Sequence, residues 1–164
     1  MADKTYNVLF ICTGNSARSI LAEALLNDAG QGRFRAYSAG SHPTGTVNPG
    51  ALDALWSIGV PAPGARSKDW DEFSGLDAPP MDFIFTVCDS AAGEACPVWP
   101  GHPMTAHWGM PDPAAAHGSQ EELRLAFRDA AVTLKRRIDL MLALPLATLD
   151  AMATKRELGD IGGR

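Results

Sequence analysis

Short apolar runs alternate along the chain with longer segments in which apolar residues recur every three or four positions. The runs predict four β-strands, at residues 6–11, 34–39, 82–87 and 104–108. The periodic segments predict helices over residues 17–28, 49–58 and 119–142, with shorter helices over 69–73 and 149–158. Alternation of strand and helix indicates an α/β fold, a four-stranded parallel sheet with helices on both faces.

The size and composition indicate one compact domain. The chain has 164 residues, of which 46% are hydrophobic and 20% are charged. We interpret residues 1–144 as this domain and residues 145–164 as a helical tail that packs on it or frays from it. The four tryptophans, at positions 56, 70, 99 and 108, are expected to pack in the interior.

Charge and cysteine content narrow the functional classes. A net charge of −5 with no long basic run argues against a nucleic-acid partner. No apolar stretch approaches membrane-spanning length, and the first residues do not have the pattern of a signal peptide. Three cysteines without a leader suggest reactive thiols in a reducing compartment, so we expect a cytoplasmic protein.

The most specific motif follows the first predicted strand and is called here the Cys12 loop, residues 12–18. A cysteine ends the strand and an arginine follows after five residues, at the start of a helix. Backbone N–H groups of such a turn point at one anion and lower the cysteine pKa, which predicts a Cys12 thiolate under a tetrahedral oxyanion. Gly14 and Asn15 suit positive φ angles, Arg18 can bind two anion oxygens, and the Ser19 hydroxyl can donate to the sulfur. The remaining candidate binding residues are Thr13, Ser16 and Ala17.

A second candidate is Asp112, which lies between two prolines after the fourth predicted strand. Prolines on both sides restrict the backbone, which suits a carboxyl group that must reach a leaving oxygen as a general acid. On its own, the motif is equally compatible with an aspartate in a turn. The Cys12 loop favours the general acid.

The other two cysteines, Cys88 and Cys96, are separated by seven residues. They are either buried core residues or a redox pair; a zinc site with His102 or His107 fits no common spacing. In a regular helix they would lie about 12 Å apart along the axis, so a disulfide requires the segment to bend or unwind. Together with Cys12, they form a possible thiol relay that a phosphatase would not need.

These motifs resemble the thioredoxin-coupled arsenate reductases of the low-molecular-weight tyrosine phosphatase superfamily. The resemblance extends from residue 6 through the long helix. It rests on the Cys12 loop, Tyr37-Ser-Ala-Gly40, Val47-Asn-Pro49, the Cys88…Cys96-Pro97 segment and His107-Trp-Gly-x-x-Asp112-Pro113. It implies a monomer with strand order 2-1-3-4.

The resemblance implies a role for each site residue. Cys12 would attack arsenate, which Arg18 and the loop amides hold, and Asp112 would protonate the leaving oxygen. Cys88 would then release arsenite by forming a disulfide with Cys12. Cys96 would take over that disulfide for reduction. No organic cofactor is implied, but some relatives bind potassium at positions that match Asn15, Glu23, Ser38 and Asp69.

Two departures from the family pattern leave alternatives open. The spacing of Cys88 and Cys96 is one residue longer than in well-known members, which leaves open which of the two attacks Cys12 first. It also leaves two reductants, thioredoxin or a glutathione-linked donor. Ala114 stands where phosphatases have a tyrosine, which favours the reductase over the phosphomonoester hydrolase that remains the alternative. A noncatalytic thiol sensor is the third possibility.

Overall fold

A computed structural model describes residues 4–88 and 103–164 of the chain. Its centre is a four-stranded parallel sheet with the order β2-β1-β3-β4. The strands are β1 Tyr6–Cys12, β2 Phe34–Gly40, β3 Phe83–Thr86 and β4 Met104–His107. The predicted fold class and strand order are therefore confirmed.

Strand β1 lies between β2 and β3, and both of its faces are covered. Its residues 8–11 are completely buried, as expected for a strand in the middle of a parallel sheet. Cys12 is paired with Gly40 of β2, and Ile11 is paired with Thr86 of β3. The carboxyl ends of β1 and β3 therefore lie side by side, and Cys88 follows β3 at the same edge as Cys12.

Within the described residues, the sheet is accompanied by four regular helices and two short 3₁₀ helices. The helices are α1 Arg18–Ala29, α2 Pro49–Ser57, α3 Gln120–Leu142 and α4 Ala151–Ile161, and the 3₁₀ turns are Trp70–Phe73 and Pro113–Ala115. Helices α1, α2 and α3 pack against one another, and α4 packs on β4. None of the helices in residues 4–88 and 103–164 has the length and hydropathy that a membrane span requires.

The C-terminal helix begins later and ends later than predicted. The Asp150 side chain caps it by accepting a hydrogen bond from the Ala153 N–H, so residue 149 lies outside the helix. Buried Leu158 and Ile161 hold its last turn against the protein. The Trp108 indole N–H also donates to the Leu158 carbonyl at 2.9 Å. The end of this helix is thus anchored next to β4.

The expected burial of the tryptophans is correct for Trp108 and wrong for Trp56. Trp108 is fully buried and stacks on Phe85 with their ring centroids 4.2 Å apart. Trp56 is 82% exposed, because α2 turns its small residues inward instead, burying Ala51 and Ala54 together with Leu55. Trp99 lies outside the described residues.

Two helical glycines provide a test of how closely α2 and α3 pack. A Cβ atom at Gly50 would lie 2.6 Å from the Phe127 ring of α3, whereas one at Gly159 of α4 would meet no atom within 4 Å. We expect Gly50→Ala to lower the free energy of unfolding by about 1–3 kcal/mol, because the ring must shift. Gly159→Ala should raise it by about 0.5–1 kcal/mol, because alanine loses less backbone entropy in a helix.

Urea unfolding of both variants and the unsubstituted protein measures the two effects. Equal changes in both variants would contradict close packing at Gly50.

Candidate active site

The Cys12 loop connects the end of β1 to the start of α1. Cys12 is the last residue of the strand and Arg18 is the first residue of the helix, as predicted. Asn15 has a φ of 44° and is the only non-glycine residue with positive φ in the described part of the chain. Gly14 does not use this freedom, so the tight turn of the loop is made at Asn15 alone.

The carbonyl groups of the loop point outward, away from its centre. Those of Thr13, Gly14 and Ser16 accept hydrogen bonds at 2.8–3.0 Å from backbone N–H groups. The donors are His42, Thr44 and Asn48, in the segment that follows β2. Because neighbouring carbonyls are fixed on the outside, the loop amides are turned toward its interior, where an anion can bind them.

Asn15 fixes the shape of the loop with its side chain. This side chain is fully buried and donates to Ser19 Oγ at 2.8 Å and to Ser38 Oγ at 3.0 Å. Its Oδ1 atom accepts the Lys68 backbone N–H at 2.8 Å. Three hydrogen bonds to three different elements hold a backbone conformation that costs free energy in any residue other than glycine. The Ser19 hydroxyl oxygen therefore accepts the hydrogen bond from Asn15. The hydroxyl hydrogen of Ser19 takes no part in that bond.

Arg18 faces the segment that carries Asp112. One guanidinium nitrogen donates to the Met110 carbonyl at 3.0 Å, and another lies 3.7 Å from the Asp112 carboxylate. The Nε atom of Arg18 is buried and has no hydrogen-bond partner within the described residues. A buried donor of this kind normally has an acceptor, so Arg18 Nε is available for an oxyanion in the loop.

Asp112 is half exposed at the edge of the site. Its Oδ1 atom accepts the Ala114 N–H at 3.0 Å and caps the short 3₁₀ helix that follows. Its other oxygen faces Arg18. The two interpretations of the sequence are therefore compatible, since the same carboxyl group caps a turn and points toward the loop.

Arg137 holds the backbone that leads to Asp112, a role that the sequence did not predict. Its guanidinium donates to the carbonyls of Trp108 and Gly109 at 2.9 and 3.2 Å. The side chain is buried, and burial lowers its pKa. In the sequence Arg137 belongs to a basic triplet on a long helix, which looks like a solvated surface. The structure shows that this arginine turns inward, toward the carbonyls that follow β4.

Cys88 lies against the Cys12 loop. The Thr13 backbone N–H donates to Cys88 Sγ at 3.2 Å, and the Thr13 hydroxyl lies 3.5 Å from the same sulfur. Both cysteines are buried, with Cys12 5% exposed and Cys88 2% exposed. The loop therefore brings together two of the three cysteines of the predicted relay. Cys96 and His102 lie outside the described residues.

The protonation of Cys12 differs from the expectation. Hydrogen bonding to Cys88 and burial raise the pKa of the Cys12 thiol, whereas the Arg18 charge and the Gly14 N–H lower it. In this pairing of the two sulfurs, the pKa shift of Cys12 is therefore opposite in direction to the lowering that the loop alone predicts. The expected field of the loop is present, but the neighbouring thiol and burial outweigh it.

Two of the four residues proposed for potassium, Ser38 and Glu23, contact a lysine ammonium group. Lys68 Nζ lies 3.2 Å from Ser38 Oγ and 3.5 Å from Glu23 Oε1. Asn15 is bonded to Lys68 and Ser38, and Asp69 Oδ1 accepts the Asp71 N–H at 2.8 Å. Burial lowers the pKa of Lys68, while Glu23 raises it. In this arrangement the residues do not fit a potassium ion.

The described ranges contain no cluster of metal-binding side chains. Within residues 4–88 and 103–164, no three His, Cys, Asp or Glu side chains lie close enough together to hold a metal ion. His107 instead pairs with Thr86, its Nδ1 atom 2.7 Å from the threonine hydroxyl, and so connects the ends of β4 and β3.

Comparison with known proteins identifies the family. The family model of the low molecular weight phosphotyrosine protein phosphatases matches residues 7–154. The chain belongs to this family. The Cys12 loop lies within the matched residues.

Relatives within the phosphatase family include arsenate reductases. One from Shouchella clausii is 36% identical over 121 residues, which cover 74% of this chain and 84% of that protein. A solved arsenate reductase in its phosphate-binding state has a TM-score of 0.68 and 26% identity, covering 85% of this chain and 98% of its own. A thioredoxin-dependent arsenate reductase from Corynebacterium glutamicum has a TM-score of 0.56 and 26% identity, over 85% of this chain and 65% of its own. The resemblance to the reductase branch is confirmed.

Removal of Cys88 tests the cause of the raised Cys12 pKa. In a Cys96→Ser background, we expect Cys88→Ala to lower the Cys12 pKa, because the hydrogen-bonding thiol is gone while Arg18 remains. A pH titration of the ultraviolet absorbance of the thiolate measures this directly, since Cys12 is then the only thiol. The control is the Cys96→Ser protein, in which both thiols titrate. A Cys12 pKa as high without Cys88 as with it would show that burial alone is responsible.

Proposed function

We propose that this protein reduces arsenate to arsenite at Cys12, through a disulfide relay of Cys12, Cys88 and Cys96 that thioredoxin regenerates. The observation that carries the proposal is the position of Cys88, whose sulfur accepts a hydrogen bond from the loop itself. Hydrolysis of a phosphoester has no need of a second thiol at that place. A redox reaction requires one.

The loop has the features needed to bind a tetrahedral oxyanion. Its amides face inward, and Arg18 Nε is a buried donor without a partner in the described part of the chain. Arsenate and phosphate have nearly the same shape and charge, so both should bind. The related structure described as phosphate-binding is in agreement with this expectation.

In the first step, the oxyanion takes the Thr13 N–H that Cys88 holds at 3.2 Å. Displacement of Cys88 removes the main cause of the raised Cys12 pKa, and the Arg18 charge then favours the thiolate. The Cys12 proton passes to an arsenate oxygen. The thiolate attacks arsenic, an As–S bond forms, and an As–O bond breaks as Asp112 protonates the departing oxygen, which leaves as water.

In the second step, the Cys88 thiol gives its proton to an arsenic-bound oxygen, and its sulfur attacks the sulfur of Cys12. A Cys12–Cys88 disulfide forms, and the electron pair of the As–S bond stays on arsenic, which leaves as arsenite. The two thiols together lose two electrons, and arsenic gains them. Cys88 follows β3 at the same edge of the sheet as Cys12, so the displaced sulfur has only a short distance to return.

The burial of both sulfurs makes a third thiol necessary. A protein reductant cannot reach a disulfide between residues that are 5% and 2% exposed. We assign the outward transfer to Cys96, whose thiolate attacks Cys88, frees Cys12 and leaves a Cys88–Cys96 disulfide for the thioredoxin dithiol to reduce. The reducing conditions that this cycle needs are those of the cytoplasm, where we place the protein as a monomer.

Hydrolysis of phosphomonoesters is the second candidate, because the family model that matches the chain is that of phosphotyrosine phosphatases. Ala114 counts against it. This residue is exposed next to Asp112 and offers no aromatic surface for a phosphotyrosine ring.

The purified protein with thioredoxin, thioredoxin reductase and NADPH tests the reductase. We expect NADPH oxidation that depends on arsenate. We also expect the double variant Cys88→Ser, Cys96→Ser to stop after at most one turnover. A phosphatase would retain aryl-phosphate turnover in that variant and consume no NADPH with arsenate. In Cys96→Ser treated with arsenate, nonreducing peptide mapping should find Cys12 joined to Cys88, because Cys88 lies against the Cys12 loop.

Asp112→Asn tests the general acid separately from binding. We expect arsenate turnover to fall by about 10²–10⁴-fold, the usual contribution of a positioned acid. Phosphate affinity should not weaken, because the loop amides and Arg18 are unchanged. The control is Asp139→Asn, which alters an exposed ion pair with Lys135 on α3. An Asp112→Asn variant with normal turnover would leave this residue only its role as a helix cap.

A further inference from the structure

We propose that the Lys68 ammonium group is a built-in cation of the Cys12 loop, which takes the place of a bound potassium ion and makes the loop independent of added monovalent cations. The proposal concerns a residue that the reaction itself does not use. It rests on the proposed function only in its choice of phosphate as a probe of the loop.

The first argument is the surroundings of the ammonium group. The Lys68 side chain is only 7% exposed, and its Nζ atom is surrounded by three oxygens. These are the Arg66 carbonyl at 3.0 Å, Ser38 Oγ at 3.2 Å and Glu23 Oε1 at 3.5 Å. A backbone carbonyl, a hydroxyl and a carboxylate form a set of ligands that would suit a monovalent cation. Here the chain itself provides the cation.

The second argument is the connection to the loop. Ser38 Oγ accepts from both Lys68 Nζ and Asn15 Nδ2, so one hydroxyl joins the ammonium group to the residue with positive φ. The Lys68 backbone N–H also donates to Asn15 Oδ1 at 2.8 Å. Lys68 thus contacts Asn15 directly through its backbone and indirectly through its side chain. Loss of the ammonium group would loosen the residue that shapes the loop.

The third argument is competition for the same oxygens. A hydroxyl oxygen has two lone pairs, and Lys68 and Asn15 occupy both on Ser38. The Gly40 N–H donates to the Lys68 carbonyl at 2.9 Å, so the backbone at Lys68 is fixed to the end of β2. A potassium ion would have to displace a tethered group of the same charge, which like-charge repulsion opposes. The lysine therefore replaces the ion and excludes it.

The test compares phosphate binding and thermal stability in potassium chloride and in choline chloride at equal ionic strength. For the unsubstituted protein we expect the same phosphate affinity and the same Tm in both salts. For Lys68→Ala, which opens space, we expect about tenfold weaker phosphate binding in choline chloride, a usual size for coupling between adjacent sites. Potassium should restore most of that affinity and raise the Tm of this variant.

Two further variants separate the charge from the packing. Lys68→Met fills the space without a charge, so its phosphate binding should be weak in both salts. Lys135→Ala removes an exposed lysine of α3 and should behave as the unsubstituted protein does. If Lys68→Ala does not fold, Lys68→Met and the salt comparison on the unsubstituted protein still test the proposal.

Three results would overturn the proposal. They are a gain in affinity or Tm of the unsubstituted protein with potassium, normal phosphate binding by Lys68→Ala in choline chloride, and weak binding by Lys68→Ala that potassium does not restore. Failure of the unsubstituted protein to bind phosphate in either salt would instead count against the proposed reductase. The Tm comparison needs no phosphate and would then decide the role of Lys68.

Discussion

The conformation of Asn15 is the constraint on which the rest of the site depends. Its φ of 44° turns the chain so that the amides of the Cys12 loop face inward. This conformation persists because Ser19, Ser38 and the Lys68 backbone bind every polar atom of its side chain. The loop is thus held from α1, from β2 and from the segment before the first 3₁₀ turn. An oxyanion meets a loop whose shape has already been set, so binding does not have to order it.

The Thr13 amide is the point at which binding and redox chemistry interact. The same N–H that would bind an oxyanion oxygen donates to the sulfur of Cys88. Sulfur and oxygen therefore compete for one donor, and the winner determines how readily Cys12 loses its proton. Such competition can order the steps of a relay without a moving domain. Reactivity at Cys12 is then coupled to occupancy of the loop.

Most of the fold could be predicted because apolar periodicity records which residues are buried in strands and helices. The Cys12 loop could be predicted because few residue types permit that turn. The burial of Lys68 and Arg137 could not be predicted. A lysine before an aspartate and an arginine in a basic triplet are typical of exposed positions. Their burial depends on the positions of β2 and β4, which are distant in sequence. The raised pKa of Cys12 could not be predicted for the same reason, because it depends on Cys88, which follows the neighbouring strand.

The burial of the two sulfurs also determines which oxidants can reach them. With 5% and 2% of their surfaces exposed, Cys12 and Cys88 are shielded from large oxidants. In the proposed reaction, an oxidant must first enter the Cys12 loop, where the buried Nε of Arg18 is a donor for small anions with several oxygens. Shape and charge would then select the oxidant before arsenic is reduced. Shielding of this kind preserves a reactive thiol in a cell that contains many other electron acceptors.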